Sequence, residues 1–223
     1  MSYQTWTAVE AYFESELVGA DAVLEAALRA SAAAGLPDIQ VSASQGRLLH
    51  LLALTLPARR ILEVGTLGGY SALWLARALP PEGRLVTLEI DPHHAEVARQ
   101  NFLHGGVSER IELHLGPALE SLARLRAPRV APFDLVFIDA DKPNNLGYFQ
   151  AALELAREGT LIVVDNVVRD GEIVARRRDA AAEGVRRMTE WIAREARLTA
   201  TVIQTVGHKG YDGFLLARVS APQ

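Results

Sequence analysis

From Phe13 onward the apolar positions Phe13, Leu17, Ala20, Leu24 and Ala27 recur at spacings of three and four, which lays one stripe along a helix ending near Gly35-Leu36-Pro37. A second helix is expected to start at Ser44 as N-cap, to carry Leu48, Leu49, Leu52 and Leu56, and to stop at Pro57. These two helices precede any strand signal and read as a cap over residues 1–57. After Pro57 the period changes. Short apolar runs at Arg60 to Val64, Leu85 to Ile90, Arg110 to Leu115, Leu135 to Ile138 and Leu161 to Val164 alternate with helical stretches, one of which opens on Asp91-Pro92, an N-cap followed by proline at the first helical position. Strands alternating with helices require crossover connections, and these predict a parallel sheet covered on both faces. The last part differs. A helix with Val185, Met188 and Ile192 in register leads to strands at Ala200 to Val206 and Phe214 to Val219, and the short link Gly207-His208-Lys209-Gly210 predicts a hairpin whose last strand runs antiparallel.

The chain has 223 residues, 49% of them hydrophobic and 22% charged, the balance of a soluble globular protein rather than a disordered or fibrous one. No repeat, linker or long charge block divides it, so a single domain over 1–223 is expected, with a core from residue 58 onward. It contains no cysteine, which excludes thiol nucleophiles, disulfides and cysteine-ligated metal in one step. A net charge of −4 offers no general field to a nucleic acid backbone, so no nucleic acid partner is expected. The start, Met1-Ser2-Tyr3-Gln4-Thr5-Trp6, lacks a basic stretch followed by an apolar one, and no apolar run approaches membrane-spanning length. A cytoplasmic protein without membrane contact is the expectation. The one basic run, Arg176-Arg177-Arg178, reads as a solvated turn, with contact to an anionic substrate the lesser reading.

Glu63-Val64-Gly65-Thr66-Leu67-Gly68-Gly69 follows the first strand and opens the helix of Ala72, Leu75, Ala76 and Leu79, where a doubly wound fold binds a nucleotide. Glu63 stands where a dinucleotide fingerprint has its first glycine, and a carboxylate there repels a pyrophosphate. A cationic ligand such as S-adenosylmethionine fits better. Glu89, 24 residues after Gly65, falls where an acidic side chain accepts hydrogen bonds from ribose hydroxyls. The competing reading is a plain tight turn with a solvated strand end.

Two further strands end in aspartate, one in Asp139-Ala140-Asp141-Lys142 and the other in Asp165-Asn166. In a parallel sheet their carboxyl ends share one edge, so Asp139 and Asp165 should approach each other. Neighbouring carboxylates repel unless one takes a proton or a cation lies between them. Two aspartates and the amide oxygen of Asn166 suit a hard divalent ion, Mg²⁺ before Mn²⁺ or Ca²⁺. The competing reading makes both aspartates helix N-caps. His50, His93, His94, His104 and His114 show no ligand spacing with these carboxylates, and His208 has no assigned role.

The sequence resembles the cation-dependent O-methyltransferases, the family of the catechol and caffeoyl-CoA enzymes. The likeness runs from Leu36-Pro37-Asp38-Ile39-Gln40-Val41 through Gln45-Gly46, Glu63-Val64-Gly65, Gly69-Tyr70-Ser71 and Gly116-Pro117-Ala118 to Asp139-Ala140-Asp141-Lys142 and Asp165-Asn166. It implies an α/β, Rossmann-like class I methyltransferase fold: a seven-stranded, mostly parallel sheet with an antiparallel C-terminal strand, helices on both faces and an N-terminal helical cap. It implies S-adenosylmethionine on Val41, Glu63, Gly65, Thr66, Ser71, Glu89, Ala118 and Asp139, with Ala118 at the adenine. Asp139, Asp165 and Asn166 would hold the divalent cation, Lys142 would be the general base with Asp139 beside it, and the acceptor would be a small phenolic molecule, catechol-like or hydroxycinnamoyl. A homodimer is also implied. Pro143-Asn144-Asn145 follows the motif lysine where the caffeoyl-CoA enzymes carry Asp-Asn-Tyr, so an acyl-CoA preference does not carry over. The alternatives are a metal-independent methyltransferase, an NAD-dependent dehydrogenase, against which Glu63 counts, and a catalytically silent binding domain.

Overall fold

The structure, a computed structural model, describes residues 2–126, 131–177 and 179–220; Arg178, the last residue of the basic run, lies outside them. The uninterrupted apolar runs form the centre of a seven-stranded sheet: β1 (Arg60–Val64), β2 (Arg84–Glu89), β3 (Ile111–Leu115), β4 (Phe133–Ile138), β5 (Ala156–Val164), β6 (Leu198–Gly207) and β7 (Gly210–Val219). Their order is β3-β2-β1-β4-β5-β7-β6. β1 to β5 are parallel, and β7 runs antiparallel to both of its neighbours. The chain winds outward from β1 to β3 and then returns to β4 on the other side of β1. The crevice for a ligand therefore lies beyond the carboxyl ends of β1 and β4.

Successive residues of a strand face opposite sides, and here both sides are buried. Leu62, Val64, Val136 and Ile138 pack against Leu122, Phe149, Val185 and Met188 from α6 (Ala118–Leu125), α7 (Asn145–Glu154) and α8 (Ala180–Ile192). Ile61, Leu135 and Phe137 pack against Leu49, Leu73 and Phe102 from α3 (Ala43–Thr55), α4 (Tyr70–Ala78) and α5 (Pro92–His104). Burying each such side chain contributes about 1.5–3 kcal/mol relative to leaving it in water. No helix among the described residues is long and apolar enough to cross a membrane.

The N-terminal pattern misleads in two places. The stripe from Phe13 to Ala27 is not one helix: α1 (Tyr3–Phe13) passes into a π-helical turn at Glu14–Val18, and a new helix, α2 (Ala22–Ala33), follows. Gly19 breaks the run at φ 71°, and the Asp21 carboxylate caps α2 by accepting from the amides of Val23 and Leu24 at 3.1 and 3.0 Å. Leu24 and Ala27 are buried, whereas Phe13 and Leu17 are 50% and 70% exposed. The cap of α3 is Ser42, whose Oγ accepts from the Gln45 amide at 3.2 Å; Ser44 lies inside the first turn and donates its own amide to Glu14 Oε1 at 3.0 Å. Asp91 does cap α5, with Pro92 at its first position. The C-terminal hairpin closes on the two-residue turn His208-Lys209, and the β6 edge is largely exposed.

Candidate active site

The loop after β1 is shaped by what passes close to it. Gly65 adopts φ 99°, and a Cβ there would run into the Asp139 carbonyl, so only glycine lets the β1 and β4 loops touch. Glu89 ties this loop to the next: one oxygen accepts from the amides of Thr66 and Leu67 at 3.1 and 2.8 Å, the other from those of Ile90 and Asp91 at 2.9 Å each. Around them opens a cavity of about 460 Å³, walled by Val41, Gly65, Thr66, Ser71, Glu89, Ala118 and Asp139, with Lys142 and Asn166 at one end.

Glu63 stands behind this wall rather than on it. Its carboxylate accepts from the Ser71 and Thr87 hydroxyls at 2.6 Å each. Burial pushes its carboxyl up to about 7 against those two hydrogen bonds, and the charges of Asp139 and Glu89 push the same way. Its carboxylate therefore connects to the cavity lining through Ser71 and, by way of Thr87, through Thr66.

The parallel ladder carries both aspartates to the same edge. The Asp139 amide donates to Val64 O at 2.8 Å, and the Asp165 amide donates to Ile138 O at 3.0 Å. Neither aspartate caps a helix: the segment after Asp139 is capped at Asp141, and the one after Asp165 at Val168. Lys142 Nζ donates to Asp139 Oδ1 at 2.7 Å, and the Asn166 amide donates to Asp165 Oδ1 at 2.8 Å. Asp165 is only 4% exposed. Its carboxyl is raised by burial and then by the Asp139 charge, while Lys142, the Asn166 amide and Gln45 pull it down. Two repelling carboxylates with one lysine on Asp139 form an oxygen-rich, cation-deficient end, whose chemistry fits a hard divalent ion. Among the described residues no group of three or more histidine, cysteine or acidic side chains is placed to hold a metal ion, so a cation here would draw on the two carboxylates and the side-chain oxygen of Asn166.

Beyond Asp165 and Asn166 a second cavity of about 480 Å³ opens, bounded by Trp6, Val9 and Phe13 of α1, Leu48 of α3 and Phe214 of β7. Asn166 belongs to both cavities.

The O-methyltransferase family model matches residues 14–219. The chain belongs to the O-methyltransferase family. A catechol O-methyltransferase of Mycobacterium tuberculosis is 56% identical over 211 residues, 95% of this chain and 94% of that one. The O-methyltransferase from Bacillus cereus, solved in complex with SAH, superposes with a TM-score of 0.96 at 49% identity, covering 98% of this chain and 100% of that one. The O-methyltransferase from Streptomyces achromogenes involved in tomaymycin synthesis, solved in complex with SAM, gives 0.95 at 51% identity over 99% and 100%.

Several residues of this O-methyltransferase site escape a reading of the sequence. Asp212 Oδ1 accepts from the amides of Val168, Arg169 and Gly213 at 3.0, 2.9 and 2.9 Å, and so pins the β5 loop just after Asn166, which is itself left-handed at φ 54°. Tyr148 donates its hydroxyl to Asp141, which also accepts from Asn144 at 2.6 Å. His94 lines the first cavity with its ring 3.7 Å from Glu89, although no spacing ties it to a site. Tyr148 and His94 lie within a few residues of Lys142 and Glu89, whereas Asp212 arrives from a distant segment. Arg176 and Arg177 are exposed, as a solvated turn requires.

Proposed function

We propose that the protein is an S-adenosylmethionine-dependent, divalent-cation-dependent O-methyltransferase that methylates one hydroxyl of a catechol-like or hydroxycinnamoyl small molecule. The observation that carries this reading is the placement of Asp139, Lys142, Asp165 and Asn166 at the junction of the two cavities. Ligand-bound relatives with near-identical folds support the first cavity as the methyl-donor site. Val41, Gly65, Thr66, Ser71, Glu89, Ala118 and Asp139 would then contact the donor, and Glu63 would act through Ser71.

Asp139, Asp165 and Asn166 would hold the cation. Bound there, a divalent ion supplies positive charge that acidifies a vicinal diol. Lys142, buried beside Asp139, receives the acceptor hydroxyl's proton on Nζ, which demands a neutral amine when the acceptor arrives. The donor wall and the apolar face of Trp6, Phe13 and Phe214 hold the two reactants in line from opposite sides of Asn166. Such alignment is worth up to roughly 7–11 kcal/mol of barrier. Transfer to a phenolate destroys charge, and walls that exclude water favour it.

The deciding experiment is a methyl-transfer assay over a panel of catechols and hydroxycinnamoyl esters, with Mg²⁺ and with chelator. Cation-dependent methylation of a vicinal diol is expected; turnover that ignores chelator would select the metal-independent alternative. We also take the chain to be a cytoplasmic homodimer folded as one domain, with α1 to α3 capping the core from residue 58. The exposed Leu51 and Leu54 of α3 support a self-contact. Light scattering at monomer mass, or two separate calorimetric transitions, would contradict the corresponding part.

A further inference from the structure

We propose that Glu10 and His208 are positioning residues of the acceptor site: together they latch α1, as a hinged wall, over the cleft in which the methyl acceptor binds. The proposal rests on the reading of the second cavity as the acceptor site.

Helix α1 buries none of its residues, and an isolated helix of eleven residues is marginal in water. Something other than its own core must hold it. Tyr3, Trp6, Glu10 and Phe13 follow one another at spacings of three and four, so a single face carries both the cleft-lining side chains and the anchoring ones. Tyr3 at the far end of α1 and Glu10 nearer the hinge both reach the same residue of the hairpin turn. Glu10 Oε2 accepts from the His208 amide at 2.6 Å and is 2.8 Å from His208 Nδ1, and the Tyr3 hydroxyl donates to His208 O at 2.5 Å. The neighbouring Gly207 is fitted to this contact, because a Cβ there would strike the Glu10 carboxylate.

At its other end α1 runs through the π-helical turn to Gly19, which has φ 71° and nothing within 4 Å of where a Cβ would be. Beyond it the chain is fixed again, since Asp21 caps α2 and receives Arg77 at 2.6 and 3.1 Å. Ties close to the hinge, Ser44 to Glu14 at 3.0 Å and Arg47 to Val18 O at 3.2 Å, do not need to break for the far end to lift. Glu10 also bonds Ser42 at the start of α3, so losing the Glu10 carboxylate frees α1 from both His208 and Ser42 and lets the Trp6 face lift from the cleft.

The test uses the full chain, with amide hydrogen exchange read by mass spectrometry beside steady-state kinetics. In Glu10→Ala, exchange in residues 2–18 should rise about tenfold while segments from α2 onward stay as in the wild type. The acceptor KM should rise about fivefold and the methyl-donor KM should stay within about twofold. Glu10→Gln keeps an oxygen that accepts from the His208 amide and should restore most of both. Unchanged exchange in residues 2–18, or acceleration spread through α2 and α3, overturns the latch. Faster exchange with an unmoved acceptor KM overturns the gating role alone. No methylation of any catechol by the wild type overturns the acceptor reading beneath the proposal, whatever the exchange shows.

Discussion

The two cavities that meet at Asn166 are built by opposite means. The donor side is made of tight loops whose amides are already spent on Glu89, and of a glycine contact that tolerates no added carbon. The acceptor side is walled by α1, which buries nothing, and by a hairpin whose outer strand is largely exposed. One half is a mould for a single ligand; the other is a wall that different side chains can redraw without disturbing the sheet. On the proposed assignment of the two cavities, the donor would be the fixed partner and the acceptor the variable one.

Five measurements bear on that contrast. Lys142→Ala, at the junction, should lower kcat by roughly 10²- to 10⁴-fold with little change in donor KM; a pH-rate profile left unaltered would remove the base role. Asp165→Ala should abolish stimulation by Mg²⁺, a loss of about a hundredfold at saturating ion, and calorimetric titration should show no cation uptake. On the donor side, Gly65→Ala should cost about 3 kcal/mol of stability or more and abolish donor binding, since it adds left-handed strain and a backbone collision. Denaturant unfolding and calorimetry check this, and full donor affinity in the variant would break the picture of a rigid mould.

The fourth measurement concerns Glu63, whose carboxyl is held at about 7 in the fold by burial. Folding raises its proton affinity, so its contribution is complete below about pH 4.5 and is lost as pH rises through 7. Between pH 5 and 8, without donor, the wild type should lose on the order of 3 kcal/mol that Glu63→Gln does not lose; parallel stability curves would contradict the buried-carboxyl account. Smallest is Trp6→Ala on the acceptor wall, expected to raise acceptor KM about three- to tenfold with an unchanged melting temperature and donor affinity. An equal loss of donor affinity would merge the two halves into one unit.

Much of the donor half was legible because its signals are local. The pattern predicts β1 to the residue, puts the paired aspartates at one sheet edge and lets the glycine loop open α4, since alternation, caps and glycine turns act over a few neighbours. The sequence places Glu63 beside the glycine loop, and adjacency in sequence does not tell the front of a wall from its back, where the fold buries this carboxyl. The apolar pattern carries no clear signal for α1, and Gly19 interrupts a stripe whose spacing continues across it. The acceptor half depends on contacts such as Glu10 with His208, 198 residues apart, and Asp212 with the β5 loop. No periodicity encodes these; they follow from the sheet order once it is known.

The position of β7 between β5 and β6 has a consequence for biosynthesis. The ribosome delivers this strand after both of its neighbours, yet Asp212 on it clamps the loop that presents Asn166. A nascent chain therefore carries all of β1 to β5 before the strand that clamps this loop and completes both faces of the core is made. Translation products truncated before Gly210 should be inert.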